Sequence, residues 1–320
     1  MKQKIKTLLG SRLKSNGGGV VIAFIVLYIA LSIASPFFLT TSNIINILKQ
    51  SIFTCIVGIS MTLIISMGDI DLSVGSTLGI SGVFVAALIK SGINIYFSLF
   101  ATLLLGCVIG LCNGLLITKL KMPPFIATLG IMSALRGLIL VYTGGVPIYG
   151  LRYKEFQFIA QGYIGPIPFS IIFLLFLVVI FYYIINYTKL GRYSISIGSN
   201  SDAAKLVGIN IDKVKITNYI ISGLLCAMAG IFMTSRSEAA TADAGSGIEM
   251  DVIAAVVIGG TAMSGGRANL PGTILGAVLM TTIKNGLNLL GVNPLWHQVV
   301  IGLFVILAVA IDSLSKRKEK

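Results

Sequence analysis

Charged residues are scarce in this chain. They make up 11% of its 320 residues, against 56% for hydrophobic residues, whereas a soluble domain carries about 25% charged residues. A soluble chain of this length would need a polar surface around its core, and this sequence does not hold enough polar residues to build one. The composition therefore excludes an ordinary soluble domain and indicates that lipid surrounds most of the chain.

Acidic residues are scarcer still, with 11 Asp and Glu against 24 Lys and Arg, for a net charge of +13. Such a charge can indicate a nucleic-acid partner, but no aromatic-rich basic surface accompanies it, so we expect none. Short loops rich in Lys and Arg mark the cytoplasmic side of a membrane protein. The basic residues form such clusters between apolar segments: Lys2, Lys4, Lys6, Arg12 and Lys14; Lys119 and Lys121; Lys189, Arg192, Lys205, Lys213 and Lys215; Lys316, Arg317, Lys318 and Lys320.

Residues that hold metals or carry covalent chemistry are also few. The single histidine, His297, follows Trp296, and an interfacial position explains both better than a ligand or proton-relay role. No paired CxxC motif is present, and we interpret the four cysteines as small buried hydrophobes in apolar segments: Cys55, Cys107, Cys112 and Cys226. We therefore expect no metal site.

Motifs for catalysis and for energy coupling are missing. The sequence holds no GxxxxGK[ST] phosphate loop, so this chain does not hydrolyse ATP itself. It also lacks a chain of carboxylates and histidines suited to proton coupling, and its candidate nucleophiles have no base partner. We expect no enzyme, no catalytic residue and no cofactor of its own. A carrier of this kind must run passively or take energy from a partner.

Apolar windows of membrane-spanning length recur along the chain. They predict an all-α integral membrane protein with about ten transmembrane helices, and the short or Gly-rich ones suggest broken or re-entrant pieces. The first window resembles a signal peptide, but it is long enough to span and no cleavage site follows it, so we interpret it as a retained helix. The predicted helices cover 19–39, 44–67, 72–90, 95–118, 124–142, 167–187, 214–235, 250–265, 270–290 and 296–313.

The basic clusters predict one topology for these helices. With the basic amino end, 1–18, in the cytoplasm, ten crossings return the basic tail, 314–320, to the same side, and the two internal clusters also fall inside. The long loop 143–166 falls outside, and so does the segment 236–249. We expect a multi-pass protein of a bacterial inner membrane with both termini cytoplasmic.

The two halves of the chain show a similar pattern. Helices 2 to 5 and helices 7 to 10 would cross in opposite directions, and each group holds a Gly-rich interruption, GDIDLSVGS at 68–76 and GGTAMSGG at 259–266. Interrupted helices at matching places in opposed halves are typical of inverted-repeat transporters. We therefore predict an inverted repeat.

Asp69 and Asp71 stand in the first interruption. A carboxylate in the bilayer core costs several kcal/mol unless it is paired or solvated, so neither is expected to face lipid. One interpretation is structural: Gly68 ends a helix, and Asp71 starts the next by accepting hydrogen bonds from the backbone N–H of Ser73 or Val74. The other is contact with substrate or an ion, and one residue could serve both purposes.

Other polar residues lie on predicted apolar helices. Arg136 and Lys284 could extend to an interface, and Arg136 could instead pair with a buried carboxylate or line a pathway. The amides could form interhelical hydrogen bonds or line a polar path. The candidates for a path or a helix break are Asp69, Asp71, Ser73, Asn113, Thr128, Arg136, Asn285 and Asn288.

The segment 199–215, SNSDAAKLVGINIDKVK, is short, polar and amphipathic between two apolar blocks. It resembles the cytoplasmic coupling region of ABC importer permeases. Further strings resemble the ribose-type monosaccharide permease family, and together they cover roughly 45–312: GDIDLSVGS, PPFIATLGIMSALRGL, LGRYSISIGSN, EMDVIAAVVIGGTAMSGG and KNGLNLLGV.

The resemblance implies a single transmembrane permease domain over 1–320 with a coupling helix at 198–213. It implies a second permease chain, either identical to this one in a homodimer or different in a heterodimer. It also implies two cytoplasmic ATPase domains that hold ATP and Mg²⁺, and an extracytoplasmic sugar-binding protein. The implied function is import of ribose or a related small sugar by alternating access. The alternatives are a stand-alone facilitator or secondary transporter and, less favoured, a membrane receptor or scaffold. The implied ATPase-coupling residues are Asp202, Ala203, Ala204, Lys205, Leu206 and Gly208.

Overall fold

A computed structural model describes residues 18–303, so the basic amino end, the basic tail and most of the last predicted helix lie outside the described residues. The chain is helical again over 297–303. The helices are α1 (Gly18–Ala34), α2 (Thr41–Ser66), α3 (Val74–Lys90), α4 (Ile95–Thr118), α5 (Pro124–Thr143), α6 (Lys154–Gln161), α7 (Phe169–Tyr187), α8 (Lys189–Ser199), α9 (Ser201–Leu206), α10 (Ile211–Ser237), α11 (Ile248–Ile258) and α12 (Leu270–Leu289), with a 3-10 turn at Pro294–Trp296.

Five of these helices are long and apolar enough to cross a membrane, namely α2, α4, α5, α7 and α10. Strand structure in the described residues is confined to two short antiparallel pairs, in which β1 (Ile148–Tyr149) pairs with β4 (Ala239–Ala240) and β2 (Tyr163–Ile164) pairs with β3 (Ile167–Pro168). The predicted all-α fold class is therefore confirmed.

Four predicted segments differ from the structure. The helix expected over 19–39 ends at Ala34. The helix expected over 250–265 ends at Ile258, because Gly259 and Gly260 follow it and the chain turns through 259–269. The segment 143–166, expected to be a loop, contains β1, α6 and β2. The predicted coupling helix, 198–213, is the end of α8, the six-residue helix α9 and the first turn of α10.

Helix α2 lies at the centre of the bundle. Every residue from Ser51 to Ser66 is buried, because α10, α11, α12, α7 and α8 all pack around this helix. Its apolar residues are interspersed with Ser, Thr and Gly, whose small side chains allow close helix packing. By contrast, α4, α5 and α7 keep most of their apolar surface exposed, as expected of helices that face lipid or another chain.

Glycines bring α4 and α10 into close contact. Gly106, Gly110 and Gly114 are spaced at i, i+4 and i+8 and form one stripe on α4. A Cβ added to Gly110 would overlap the backbone oxygen of Tyr219, and one added to Gly106 would overlap that of Gly223. This is the small-residue packing used between membrane helices, and it fixes α4 against the middle of α10.

The order of long helix, break, short helix and long helix occurs twice, in α2–α4 and in α10–α12. This order is compatible with a repeat, but the two Gly-rich interruptions do not occupy matching places in it. The segment 68–76 precedes the short helix α3, whereas 259–266 follows the short helix α11. The two segments instead touch, since a Cβ added to Gly265 would lie 2.9 Å from the backbone nitrogen of Gly68. The predicted match between the two interruptions was therefore wrong, and the inverted repeat itself stays a prediction.

Candidate functional site

The chain between α2 and α3, residues 67–73, is called the break segment here. Helix α2 ends because Gly68 adopts φ +81°, which a residue with a Cβ rarely does. One carboxylate oxygen of Asp71 accepts hydrogen bonds from the backbone N–H of Ser73 at 2.9 Å and from its hydroxyl at 2.6 Å. The predicted bond to Ser73 is thus present, and it directs the chain into α3.

The break segment joins several polar side chains inside the bundle. Asn113 of α4 donates to the Ser73 hydroxyl at 2.8 Å, and Ser222 of α10 donates to the second oxygen of Asp71 at 3.0 Å. On the α5 side, the hydroxyl of Thr128 accepts from the backbone N–H of Leu72 at 3.1 Å. All of these groups are buried. Asp71, Ser73, Asn113 and Thr128, selected from the sequence, therefore form one cluster.

Asp69 enters the same region through an ion pair. Its Oδ1 lies 2.7 Å from the Nζ of Lys215 in the first turns of α10, and the side chains are 6% and 18% exposed. The other oxygen of Asp69 is buried and has no hydrogen-bond partner among the described residues. From the sequence, Lys215 was identified only as a member of a basic cluster. Its ion pair with a buried carboxylate was not predicted.

A polar stripe on α10 faces the break segment. Lys215, Asn218 and Ser222 are spaced at i, i+3 and i+7 and so share one face of the helix. Asn218 is fully buried; its amide donates to the hydroxyl of Ser194 on α8 at 2.7 Å and lies 3.0 Å from the sulfur of Met67. This spacing on an apolar helix was the sequence signal that could have identified Asn218 and Ser222.

The remaining path candidates lie elsewhere. Arg136 donates to backbone carbonyls of the 238–247 loop, and Asn285 exchanges amide hydrogen bonds with Asn43 of α2 at 2.9 and 3.1 Å. The interhelical interpretation therefore applies to Asn285. Asn288 is exposed. A transport role for these residues stays a prediction.

Lys284 does not extend to an interface. Its ammonium group pairs with the carboxylate of Asp251, so α12 is joined to α11 by a second ion pair in the bundle. Asp251 is buried. Among the described residues, no group of three or more His, Cys, Asp or Glu side chains could hold a metal ion.

The coupling segment, Ser199 to Lys215, has well-defined ends around α9. The side chain of Asn200 accepts from the N–H of Ala203 at 2.9 Å and caps the start of α9. Gly208 adopts φ +84°, and its N–H donates to the carbonyl of Lys205 at 3.1 Å, which ends the helix in the usual glycine-terminated way.

The orientation of α9 separates the predicted coupling residues into two groups. Ala204 is 3% exposed and belongs to the core of its own chain, so its side chain is not available to a partner and its inclusion in a docking surface was wrong. The other predicted residues, Asp202, Ala203, Lys205, Leu206 and Gly208, are exposed, and Val207 beside them is exposed as well.

These features define a multi-pass helical membrane protein with a buried polar break and an exposed connecting helix at one end of its longest described helix. Residues 43–309 match the family model described as "Branched-chain amino acid transport system / permease component". The chain belongs to this family, as a member of its ribose-type ABC importer permeases. The predicted resemblance is confirmed.

Named relatives cover nearly the whole chain. The ribose import permease protein RbsC of Bacillus subtilis is 43% identical over 295 residues, 92% of each chain, and that of Escherichia coli K12 is 39% identical over 298 residues, again 92% of each. The galactose/methyl galactoside import permease protein MglC of E. coli K12 is 34% identical over 322 residues, 95% of this chain and 96% of the relative. No solved structure matches the chain significantly. The protein is therefore a multi-pass inner-membrane sugar permease of the ABC type.

Proposed function

We propose that this chain is the membrane-spanning subunit of an importer that moves ribose or a related small sugar into the cytoplasm, driven by ATPase subunits that bind at α9. The observation that supports this most directly is the exposure of two apolar side chains at the end of α9, Leu206 at 88% and Val207 at 77%. These two side chains lie in a short polar segment that is not expected to face lipid, so their exposure favours a contact with another protein. Asp202 and Lys205 would lie at the polar rim of the contact, as in a helix held in a groove.

The position of α9 suits the transfer of movement. It is followed after four residues by α10, whose 27 residues give a length of about 40 Å through the bundle. A displacement of α9 would therefore move a rigid helix that contacts α2, α3 and α4. We propose that such movement opens a central path between two permease chains first to one side of the membrane and then to the other, and that the two chains form a homodimer.

The substrate is proposed from the relatives. The two relatives named for ribose are 43% and 39% identical to this chain, against 34% for the one named for galactose and methyl galactoside. Ribose is therefore the sugar to test first. Leucine is the comparison substrate, because the description of the family model names branched-chain amino acid transport. The sugar-binding protein would deliver substrate at the end that carries α6.

The test is reconstitution of the chain in liposomes with its ATPase and binding-protein partners. We expect uptake of radiolabelled ribose that requires internal ATP and is reduced by unlabelled ribose but not by leucine. Uptake at the same rate without the ATPase would instead establish a facilitator.

Two variants test the docking surface. Leu206→Asp combined with Val207→Asp places charge on the apolar tip of α9, and we expect the ATPase to be lost from the purified complex. Leu120→Asp, which charges another exposed leucine outside α9, is the matched control and should retain the ATPase. Normal uptake with bound ATPase in the double variant would exclude α9 as the docking element.

A further inference from the structure

The turn formed by the end of α2 and the break segment contacts the chain on both sides of α9. Before α9, Gly198 lies so close to the backbone oxygen of Ser66 that an added Cβ would overlap it. After α9, Lys215 pairs with Asp69 at 2.7 Å. The two flanks of α9 thus contact the same turn of the chain.

A third contact joins those flanks to each other. Asn218 of α10 donates to the Ser194 hydroxyl of α8 at 2.7 Å and contacts the sulfur of Met67 in the break segment at 3.0 Å. Helix α8, the start of α10 and the break segment therefore form one packed unit around α9. Within this unit the Lys215–Asp69 contact joins two charged groups, and hydrogen bonds of that kind are about twice as strong as neutral ones.

Stability alone does not explain a buried ion pair. Replacing both partners by neutral residues of similar volume often leaves stability unchanged, because the desolvation of two charges cancels much of their attraction. What the pair provides is a fixed separation between two atoms. Here those atoms belong to the first turns of α10 and to a segment that also carries Asp71.

We propose that the Lys215–Asp69 ion pair transmits displacement of the coupling segment to the break segment, so that Lys215 is a positioning residue for transport. A shift of α9 carries the first turns of α10 with it, and Lys215 then moves Asp69. Two residues further on, Asp71 is bonded to Ser73, and Ser73 to Asn113 of α4. Movement at α9 thereby changes the polar cluster inside the bundle. This inference rests on the proposed function.

The experiment measures sugar transported and ATP hydrolysed in the same liposomes, with the complete complex and its binding protein. The double variant Asp69→Asn with Lys215→Met removes both charges and leaves no unpaired ion. We expect the amount of sugar moved per ATP to fall about tenfold, within the usual range of coupling between two sites, while the melting temperature stays close to that of the parent. The exchanged pair, Asp69→Lys with Lys215→Asp, should recover part of the loss.

The control is Lys119→Met, which breaks an exposed ion pair between Lys119 and Asp212, 3.1 Å apart, at the same end of α10. This variant should move as much sugar per ATP as the parent. The proposal is overturned if the neutral double variant also keeps that ratio, or if the ratio falls only together with the melting temperature, as it would in a merely destabilised protein. A parent complex that moves sugar without ATP would refute the proposed function instead.

Discussion

The guanidinium of Arg136 donates a hydrogen bond of 2.7 Å to the backbone carbonyl of Ala244, and a second of 3.3 Å to that of Ala242. This contact joins the middle of α5 to the loop that starts α11. Gly79 of α3 lies at the same place, where an added Cβ would come within 2.7 Å of the Ala244 oxygen. One arginine therefore holds α5 and this loop together beside α3.

Removal of this arginine should destabilise the protein. Arg136→Met leaves two partly buried carbonyls without their donor, and we expect a loss of about 1–3 kcal/mol in the free energy of unfolding. Thermal melting in detergent measures it. Arg152→Met is the control, because Arg152 is 82% exposed and should have little effect. Equal melting temperatures for the two variants would contradict the structural role of Arg136.

The contact between α4 and α10 can be tested at one glycine. A Cβ on Gly110 overlaps the oxygen of Tyr219, so we expect Gly110→Ala to separate the helices and cost about 1–3 kcal/mol. Gly137→Ala on α5 is the control, since nothing lies within 4 Å of its added Cβ; there the better helix propensity of alanine should be neutral or slightly stabilising. Melting curves of both variants decide the matter, and a Gly110→Ala protein as stable as Gly137→Ala would show that the helices are less closely packed.

Two variants of Asp71 distinguish a structural role of this side chain from a role in transport. Its Oδ1 accepts two bonds from Ser73, and an asparagine oxygen can accept the same two. Its Oδ2 accepts from Ser222, and an asparagine amide could donate to that hydroxyl instead. We therefore expect Asp71→Asn to keep near-parental sugar uptake and melting temperature, whereas Asp71→Ala, which leaves buried donors unpaired, should lose about 1–3 kcal/mol. A stable Asp71→Asn variant without uptake would show that the carboxylate charge itself is required.

The ionisation of Glu238 should make stability depend on pH at the end of the molecule that carries α6. Hydrogen bonds from Gln157, then Arg152 and Gln161, hold the pKa of Glu238 below its ordinary value of 4.5. The contribution of this carboxylate to stability is therefore complete above pH 4.5 and is lost as the pH falls through the lowered pKa. Proteolysis of the segment 143–166 should become faster in that acidic range. Glu238→Gln should remove the pH dependence, and an unchanged profile in this variant would assign it to another group.

The predicted orientation can be tested at two exposed serines. In a background without its four cysteines, Ser201→Cys at the start of α9 and Ser246→Cys before α11 should be labelled from opposite sides of the membrane. A membrane-impermeant maleimide applied to intact cells should label only Ser246→Cys. Labelling of both variants from outside would refute the ten-helix topology.

Hydropathy located most helices because the bilayer sets their length and requires apolar side chains, so α2, α4, α5 and α7 lie within a few residues of the predicted windows. The bond between Asp71 and Ser73 was also predictable, since it joins residues two apart. The Lys215–Asp69 pair was not, because only the fold brings together residues 146 apart. The buried side of α9 was missed for a related reason. Six residues give no clear periodicity, so Ala204 and Leu206 could be assigned to a face only by the packing around them.

The 146 residues between Asp69 and Lys215 also have a consequence for biosynthesis. When the ribosome has made α2 and α3, Lys215 does not yet exist, and at about 5–20 residues per second it follows Asp69 by roughly 7–30 s. During that interval Asp69 lacks the ammonium group that neutralises it in the folded chain, and an unpaired charge costs several kcal/mol to bury. We therefore expect nascent chains stalled before Lys215 to keep Asp69 in water or inside the insertion machinery, and chains stalled after α10 to bury it. Crosslinking of a probe placed at Asp69 would show the transfer, and identical crosslinks before and after α10 would exclude it.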